Sequence, residues 1–169
     1  MTVRPLVFFP DPRLSAPCDR IEKFDRRLAD LLSDLTDTMR HSPGVGVAAP
    51  QIGILKRVSV IDVSRKIKKP KAGESCHGLL ALINPILLEG RGRQLPREGC
   101  LSVPDLLGNV ERYESVTVET KTPLGESVVF HATGFEALAF QHEIDHLNGK
   151  LFLDRVANIK TDIFRRQTK

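Results

Sequence analysis

Two histidines four residues apart, in His142-Glu143-Ile144-Asp145-His146, carry the strongest chemical signal in the chain. On a helix, positions i and i+4 share one face, so both imidazoles can bind one divalent ion. Glu143 stands beside the first of them, placed to take a proton from a water on that ion. The bland alternative is a surface helix with its histidines on an apolar side. Phe135, Leu138 and Ala139 fall one and two turns before His142 and are apolar, which points to a buried face.

Two imidazoles leave a catalytic site one protein ligand short. The residues after His146 include no His, Cys or Glu, and only Asp154 and Asp162 are acidic there, so the third ligand is expected upstream. Cys100, in Arg97-Glu98-Gly99-Cys100-Leu101-Ser102-Val103-Pro104, is the best candidate, because Gly99 allows close approach of the backbone. Glu98 suits a supporting place, accepting a ligand-histidine N–H or pairing with Arg112. Cys18 follows a proline and reads as a small apolar filler. Cys76-His77 lies in a basic loop too mobile to hold a catalytic ion well. His41 at a helix end and His131 at a strand end read as structural.

A third stretch, Gly44-Val45-Gly46-Val47-Ala48-Ala49-Pro50-Gln51-Ile52-Gly53, alternates glycine with small apolar residues. It lacks the glycine spacing of a dinucleotide fingerprint. Such backbone can line a narrow cleft and pair with an extended peptide. Gln51 offers an amide donor to a developing oxyanion. Alone, the stretch reads as a structural turn.

The elements that must position these residues follow from periodicity. Leu28, Leu31, Leu32, Leu35 and Met39 recur at helical spacing from Asp25, and Pro43-Gly44 stops that helix. Arg57 to Val63 reads as a strand. Leu79 to Leu88 is apolar, but Pro85 demotes part of it to an edge or a bulge. Ser115 to Thr120 and Val128 to His131, joined through Pro123-Leu124-Gly125, predict an antiparallel hairpin. Gly134 opens a helix through Leu147 that Asn148-Gly149 closes. A last short helix is predicted from Asp154, with Val156, Ile159 and Ile163 on one side. The order predicts an α+β fold, mainly antiparallel sheets around the central histidine-bearing helix. Residues 64–78 form a basic, turn-rich loop, solvated in the plain reading and a contact for RNA phosphates in the sharper one.

Composition bounds the class. The chain has 169 residues, 25 basic and 21 acidic, with a hydrophobic share of 41%, which suits one soluble domain over 1–169. Three cysteines are too few for a secreted disulfide framework and suggest a reducing compartment. The opening apolar run is too short for a signal peptide, and no stretch approaches 18 apolar residues, so no membrane association is expected. A net charge of +4 permits nucleic-acid contact without demanding it, and no specific DNA binding is expected.

Together, Gly44-Val45-Gly46-Val47-Ala48-Ala49-Pro50-Gln51, Glu98-Gly99-Cys100-Leu101-Ser102 and Gln141-His142-Glu143-Ile144-Asp145-His146-Leu147-Asn148-Gly149 resemble the three signature motifs of the peptide deformylase family, in the family's order. Asp11-Pro12-Arg13-Leu14, Ile83-Asn84-Pro85, Val110-Glu111-Arg112 and Leu151-Phe152-Leu153-Asp154 extend the likeness over nearly the whole chain. The resemblance implies removal of the formyl group from N-formylmethionine on nascent polypeptides, with release of formate. It implies Cys100, His142 and His146 as ligands of one divalent ion, usually Fe²⁺, with Zn²⁺, Ni²⁺ or Co²⁺ able to replace it. Glu143 is then base and acid, and Gln51 with the Leu101 backbone N–H holds the oxyanion. Val45 and Gly46 pair with the peptide, and Phe135, Leu138 and Ala139 form the methionine slot, which Leu101 and Val45 close. The likeness places the protein in the bacterial cytoplasm, an organelle matrix being the alternative, and suggests a ribosome contact through the basic tail 160–169. The alternative for the tail is a capping helix with a solvated end. Two departures stand out: Asp105-Leu106-Leu107-Gly108-Asn109 lacks a basic residue that some relatives carry, and loop 64–78 is longer than in compact relatives. The rival functions are an HExxH metallopeptidase, a non-catalytic metal- or RNA-binding module, and a deformylase-like protein acting on another amide.

Overall fold

The computed structural model describes residues 2–167. It is α+β, with two antiparallel sheets packed around helix α2 (Gly134–Leu147). Strands β1 (Gly46–Ala48), β2 (Val58–Ile61), β3 (Leu80–Arg91), β6 (Ser115–Lys121) and β7 (Ser127–Thr133) form one sheet in the order β1-β2-β3-β6-β7. Strands β4 (Arg97–Cys100), β5 (Val103–Asn109) and β8 (Ile163–Arg165) form the other, in the order β4-β5-β8. Among the described residues no helix is long and apolar enough to cross a membrane.

Helix α1 (Arg26–Arg40) starts where expected. The Asp25 carboxylate accepts from the Arg27 and Leu28 backbone N–H groups at 2.9 and 3.3 Å. Leu28, Leu35 and Met39 pack on Val47, Val58, Val60 and Ile83, so α1 covers the β1–β2 side of the large sheet. At its end the Arg65 guanidinium donates to the carbonyls of Met39, Arg40, Ser42 and Gly44. It thereby satisfies carbonyls that a helix terminus leaves open and fixes the chain entering β1.

Helix α2 is enclosed on most sides and buries polar residues, among them Glu136, Glu143 and Asp145, as well as apolar ones. Ala137, Phe140 and Ile144 pack on Ile61, Leu82, Val116 and Val118 of the large sheet. Its C-terminus is held by Arg57, whose Nη1 donates to the Leu147 carbonyl and to Asn148 Oδ1 at 3.2 and 2.7 Å. Gly149 follows at φ 67°, where a Cβ would also strike the Ser15 carbonyl at 2.7 Å. The Asn148-Gly149 stop thus has a conformational and a steric cause.

Of the edge or bulge expected around Pro85, the structure has the bulge, since β3 is the middle strand of five. The proline sits in a bulge between Ile83 and Ile86, beside Asn84 at φ 51°. Asn84 holds that left-handed conformation by exchanging two 2.8 Å hydrogen bonds with the Ile21 backbone. The final helix from Asp154 is replaced by a turn at Phe152–Arg155, a four-residue helix α3 (Ile159–Asp162), and strand β8. Pairing of Ile163, Phe164 and Arg165 with Gly108, Leu107 and Leu106 supplies backbone partners that a helix end would lack. Of the basic tail, residues 160–162 belong to α3 and 163–165 to β8, and residues 168–169 lie outside the described ones. Loop 64–78 is pinned at its far end: Ser75 and Thr133 exchange backbone-to-hydroxyl bonds of 2.8 Å, and the His77 N–H and ring meet the fully buried Glu136 carboxylate at 2.8 and 2.7 Å.

Candidate active site

One turn of α2 presents His142 and His146 on the same side, with ring centroids 4.9 Å apart. Strand β4 brings Cys100 to them, its Sγ 3.2 Å from His146 Nε2. The ligand-capable atoms of Cys100, His142 and His146 all lie within 4.8 Å of one another, and among the described residues no other such group of three exists. This geometry selects Cys100 from the three cysteines. Cys18 is buried with Ala48 and Leu147, and burial pushes its thiol up to about 11. Cys76 packs at the margin of the main core. One thiolate and two imidazoles are donors suited to Fe²⁺, Zn²⁺, Ni²⁺ or Co²⁺, so the residues present fit a divalent ion.

The surroundings orient this trio. His142 Nδ1 lies 3.1 Å from Glu98 Oε2, the distance of a ring N–H donated to the carboxylate, which turns Nε2 toward the thiol. Arg112 grips the same carboxylate in a fork, Nε to Oε1 at 2.6 Å and Nη2 to Oε2 at 2.9 Å. Its remaining Nη1 donates to Asp145 at 2.6 Å, and Arg155 pairs with Asp145 from the surface side. Burial raises the Glu98 carboxyl, but Arg112 and His142 outweigh it and hold the group down at about 2. Burial likewise opposes ionisation of Cys100, yet the His146 and His142 imidazoles bring the thiol well below its ordinary range. His142 shows the reciprocal effect, raised against its burial by the Cys100 thiol and by Glu98.

Glu143 occupies a contrasting position. It is 3% exposed, and among the described residues its Oε2 has no hydrogen-bond partner. Burial pushes its carboxyl up to about 7, with the two histidines opposing the shift. A buried carboxyl near neutrality with a free oxygen is suited to accept and return a proton. Gly46 is what admits it, because a Cβ there would overlap the Glu143 carboxylate. Gln51 is also buried, and its Oε1 accepts from the Ala48 N–H at 2.9 Å. That bond fixes the amide so that Nε2 faces Ser102 Oγ at 3.1 Å and Cys100 Sγ at 3.4 Å.

These groups floor a cleft of about 290 Å³. One wall is Pro43 to Gly46, leading into β1; the other is Pro96 to Leu101, on β4. Each strand is the outer member of its sheet, so two strand edges flank the cleft. Val45, Gly46, Gln51, Glu98, Cys100, Leu101, Phe135, Leu138, Ala139, His142 and Glu143 all line it. His146 lies fully buried behind them, and Arg112 lies behind Glu98. Sequence reasoning missed Ser102, which anchors the Gln51 amide, and missed Lys66, Arg97 and Arg166 in the cleft lining. Ser102 was in view within the cysteine motif. Arg166 gave no signal, since only the pairing of β8 with β5 carries it there.

The sequence matches the polypeptide deformylase family over residues 3–162. It is 43% identical over 171 aligned positions to a peptide deformylase of Acidobacterium capsulatum, covering 100% of this chain and 95% of that one. It is 42% identical to peptide deformylase 1 of Bacillus cereus, over 92% of this chain and 94% of that one. The peptide deformylase of Ehrlichia chaffeensis, solved in complex with actinonin, superposes with a TM-score of 0.86 at 34% identity, covering 95% of this chain and 92% of that one.

Proposed function

The chain belongs to the polypeptide deformylase family, an enzyme family that removes the formyl group from the N-termini of nascent peptides, and we propose that residues 1–169 form one domain whose Cys100, His142, His146, Glu143, Gln51 and Leu101 carry out that reaction. The observation that carries this assignment is the meeting of the Cys100–His142–His146 trio with the unpartnered Glu143 oxygen at the floor of a two-edged cleft.

When bound by the trio, a divalent ion supplies Lewis acidity, easing ionisation of a nucleophilic water and polarising the formyl carbonyl. The formyl peptide lies extended between the Val45–Gly46 edge and β4, adding its backbone to both. Its methionine side chain enters the apolar slot of Phe135, Leu138 and Ala139, with Leu101 and Val45 closing it. The Gln51 amide and the Leu101 backbone N–H donate to the oxygen of the formyl carbonyl as charge develops there. Glu143 takes the proton of the attacking water and returns it to the departing amine nitrogen. The C–N bond breaks, and formate and a free N-terminus leave. Glu98 and Arg112 act on none of these atoms; they hold the His142 ring in place.

Fe²⁺ is the proposed native ion, with Zn²⁺, Ni²⁺ or Co²⁺ as functional substitutes, which the mixed thiolate and imidazole donors support. The proposed location is the bacterial cytoplasm, where formylated nascent chains arise. A ribosome contact through the basic tail is also proposed, supported by exposed Lys160 and Arg165. Charge reversal at both should lower co-sedimentation with ribosomes at low salt; an unchanged bound fraction would reject the contact. For the reaction itself, protein loaded with Fe²⁺ or Ni²⁺ without oxygen should release formate from formyl-Met-Ala and leave the Met-Ala bond intact. Cleavage of that bond instead would favour the metallopeptidase.

A further inference from the structure

The β4 wall carries positive charge that deformylation does not use. Glu98 and Cys100 point inward to the histidines, so by strand alternation Arg97 and Gly99 lie on the opposite face. At Gly99 the missing side chain leaves room for a guanidinium. A Cβ there would overlap Arg166 Nη2 and approach Leu107 Cδ2 at 2.8 Å. The reach of Arg166 is set by its backbone, whose N–H donates to the Asp105 carbonyl at 2.8 Å just beyond β8. The register from Gly99 to Leu107 to Phe164 carries this segment across the small sheet. The Arg97 guanidinium lies 3.8 Å from the centroid of the Phe164 ring, so β8 places both cations. Lys66 completes the rim of the same cleft. Arg112 and Arg155 are engaged by Glu98 and Asp145, whereas among the described residues Lys66, Arg97 and Arg166 form no ion pair.

We infer that Arg97 and Arg166, with Lys66 on the same rim, bind a carboxylate of the substrate and make the enzyme favour formyl peptides that are acidic within the first residues after formylmethionine. The inference rests on the deformylase reading, which puts the peptide in this cleft. A peptide paired with the edge of β4 passes Gly99, where Arg166 covers the backbone. Extended chains project successive side chains to opposite sides about 3.3 Å apart, so one residue soon after methionine faces the guanidiniums. Guanidinium forks match carboxylates in planar geometry, and the same charges repel a lysine placed there. The carboxylate can be an Asp or Glu side chain or the free C-terminus of a short peptide.

The test compares kcat/KM for formate release by the metal-loaded protein on formyl-Met-Glu-Ser, formyl-Met-Gln-Ser and formyl-Met-Lys-Ser amides, and the same series with the variable residue third. Formyl-Met-Ala-Ser as amide and as free acid separates the terminal carboxylate from a side chain. In the parent, the acidic peptide should exceed the Gln peptide about fivefold at low salt, mostly through KM, with Lys lowest. The ratio should shrink at about 0.5 M salt. Arg166→Gln, and separately Arg97→Gln, should halve the ratio or more, while Arg166→Lys should retain most of it. A ratio near one in the parent for side-chain and terminal carboxylates alike, or an unchanged ratio in both Gln variants, would overturn the inference. Should no peptide yield formate, the deformylase reading fails by itself. The rim is then judged by equilibrium binding of Met-Glu-Ser and Met-Gln-Ser amides, where tighter Glu binding lost in Arg166→Gln supports it and equal affinities overturn it.

Discussion

The two walls of the cleft are both strand edges, yet they work by different physics. The β1 wall contributes shape: Val45 and Gly46 carry no charge, and the carboxylate of Glu143 fits only because position 46 lacks a Cβ. Its precision comes from Arg65, which ties the loop before it to the end of α1. The β4 wall contributes donors and charge: Cys100 as proposed ligand, Glu98 as the carboxylate facing His142, and Arg97 with Arg166 at the rim. One wall fails when something is added to it, the other when something is removed.

The contrast can be broken at four points. Cys100→Ser on the β4 wall should have the largest effect, weakening retention of the ion by more than about 100-fold and lowering turnover with it. Metal content after dialysis against a chelator reads this, and retention equal to the parent would mean the third ligand is another residue. Gly46→Ala on the β1 wall should leave metal content and melting temperature nearly unchanged. It should still lower kcat about 100-fold, because the flexible end of Glu143 must move; a normal kcat would show that the carboxylate is not used from that position. Glu98→Gln should weaken the ion about 10- to 100-fold, as loss of an orienting partner does.

The same substitution has a pH signature in the metal-free protein. The Glu98 carboxyl stands at about 2 in the folded chain against an ordinary 4.5. Its stabilisation is thus fully present above pH 4.5 and is lost as the pH falls toward 2. The stability gap between parent and Glu98→Gln should narrow across that window in denaturant titrations; a constant gap would deny the Arg112 and His142 bonds their role. The smallest effect is expected at Arg65→Ala, which should cost about 1–3 kcal/mol by unsatisfying carbonyls at the α1 end and raise KM more than it lowers kcat. An unchanged KM would separate the loop before β1 from peptide binding.

Much of the donor wall could be read in the sequence because its chemistry is local. The four-residue spacing of His142 and His146 means one helical face wherever the helix lies, and Glu98-Gly99-Cys100 puts ligand and orienting acid in one strand. The β1 wall was readable as a pattern but not as a cause: the need for glycine at 46 arises from Glu143, 97 residues later. Pro85 signalled an edge or a bulge without deciding between them; the bulge and the Asn84 bonds to Ile21 make room for it within a central strand. The final segment misled because Val156, Ile159 and Ile163 fit a helical spacing, while the free edge of β5, which recruits Ile163 to Arg165 as a strand, is distant in sequence. Arg166 was hidden for the same reason.

In the proposed reaction the trio holds the ion while Glu143, next to His142 on α2, moves the proton. Glu143→Gln keeps the size and burial of the side chain and removes its basicity. Metal content and formate release from formyl-Met-Ala, measured on the same sample, should show parent-like ion per chain with turnover lowered about a thousandfold or more. Loss of the ion, or turnover within tenfold of the parent, would contradict the account.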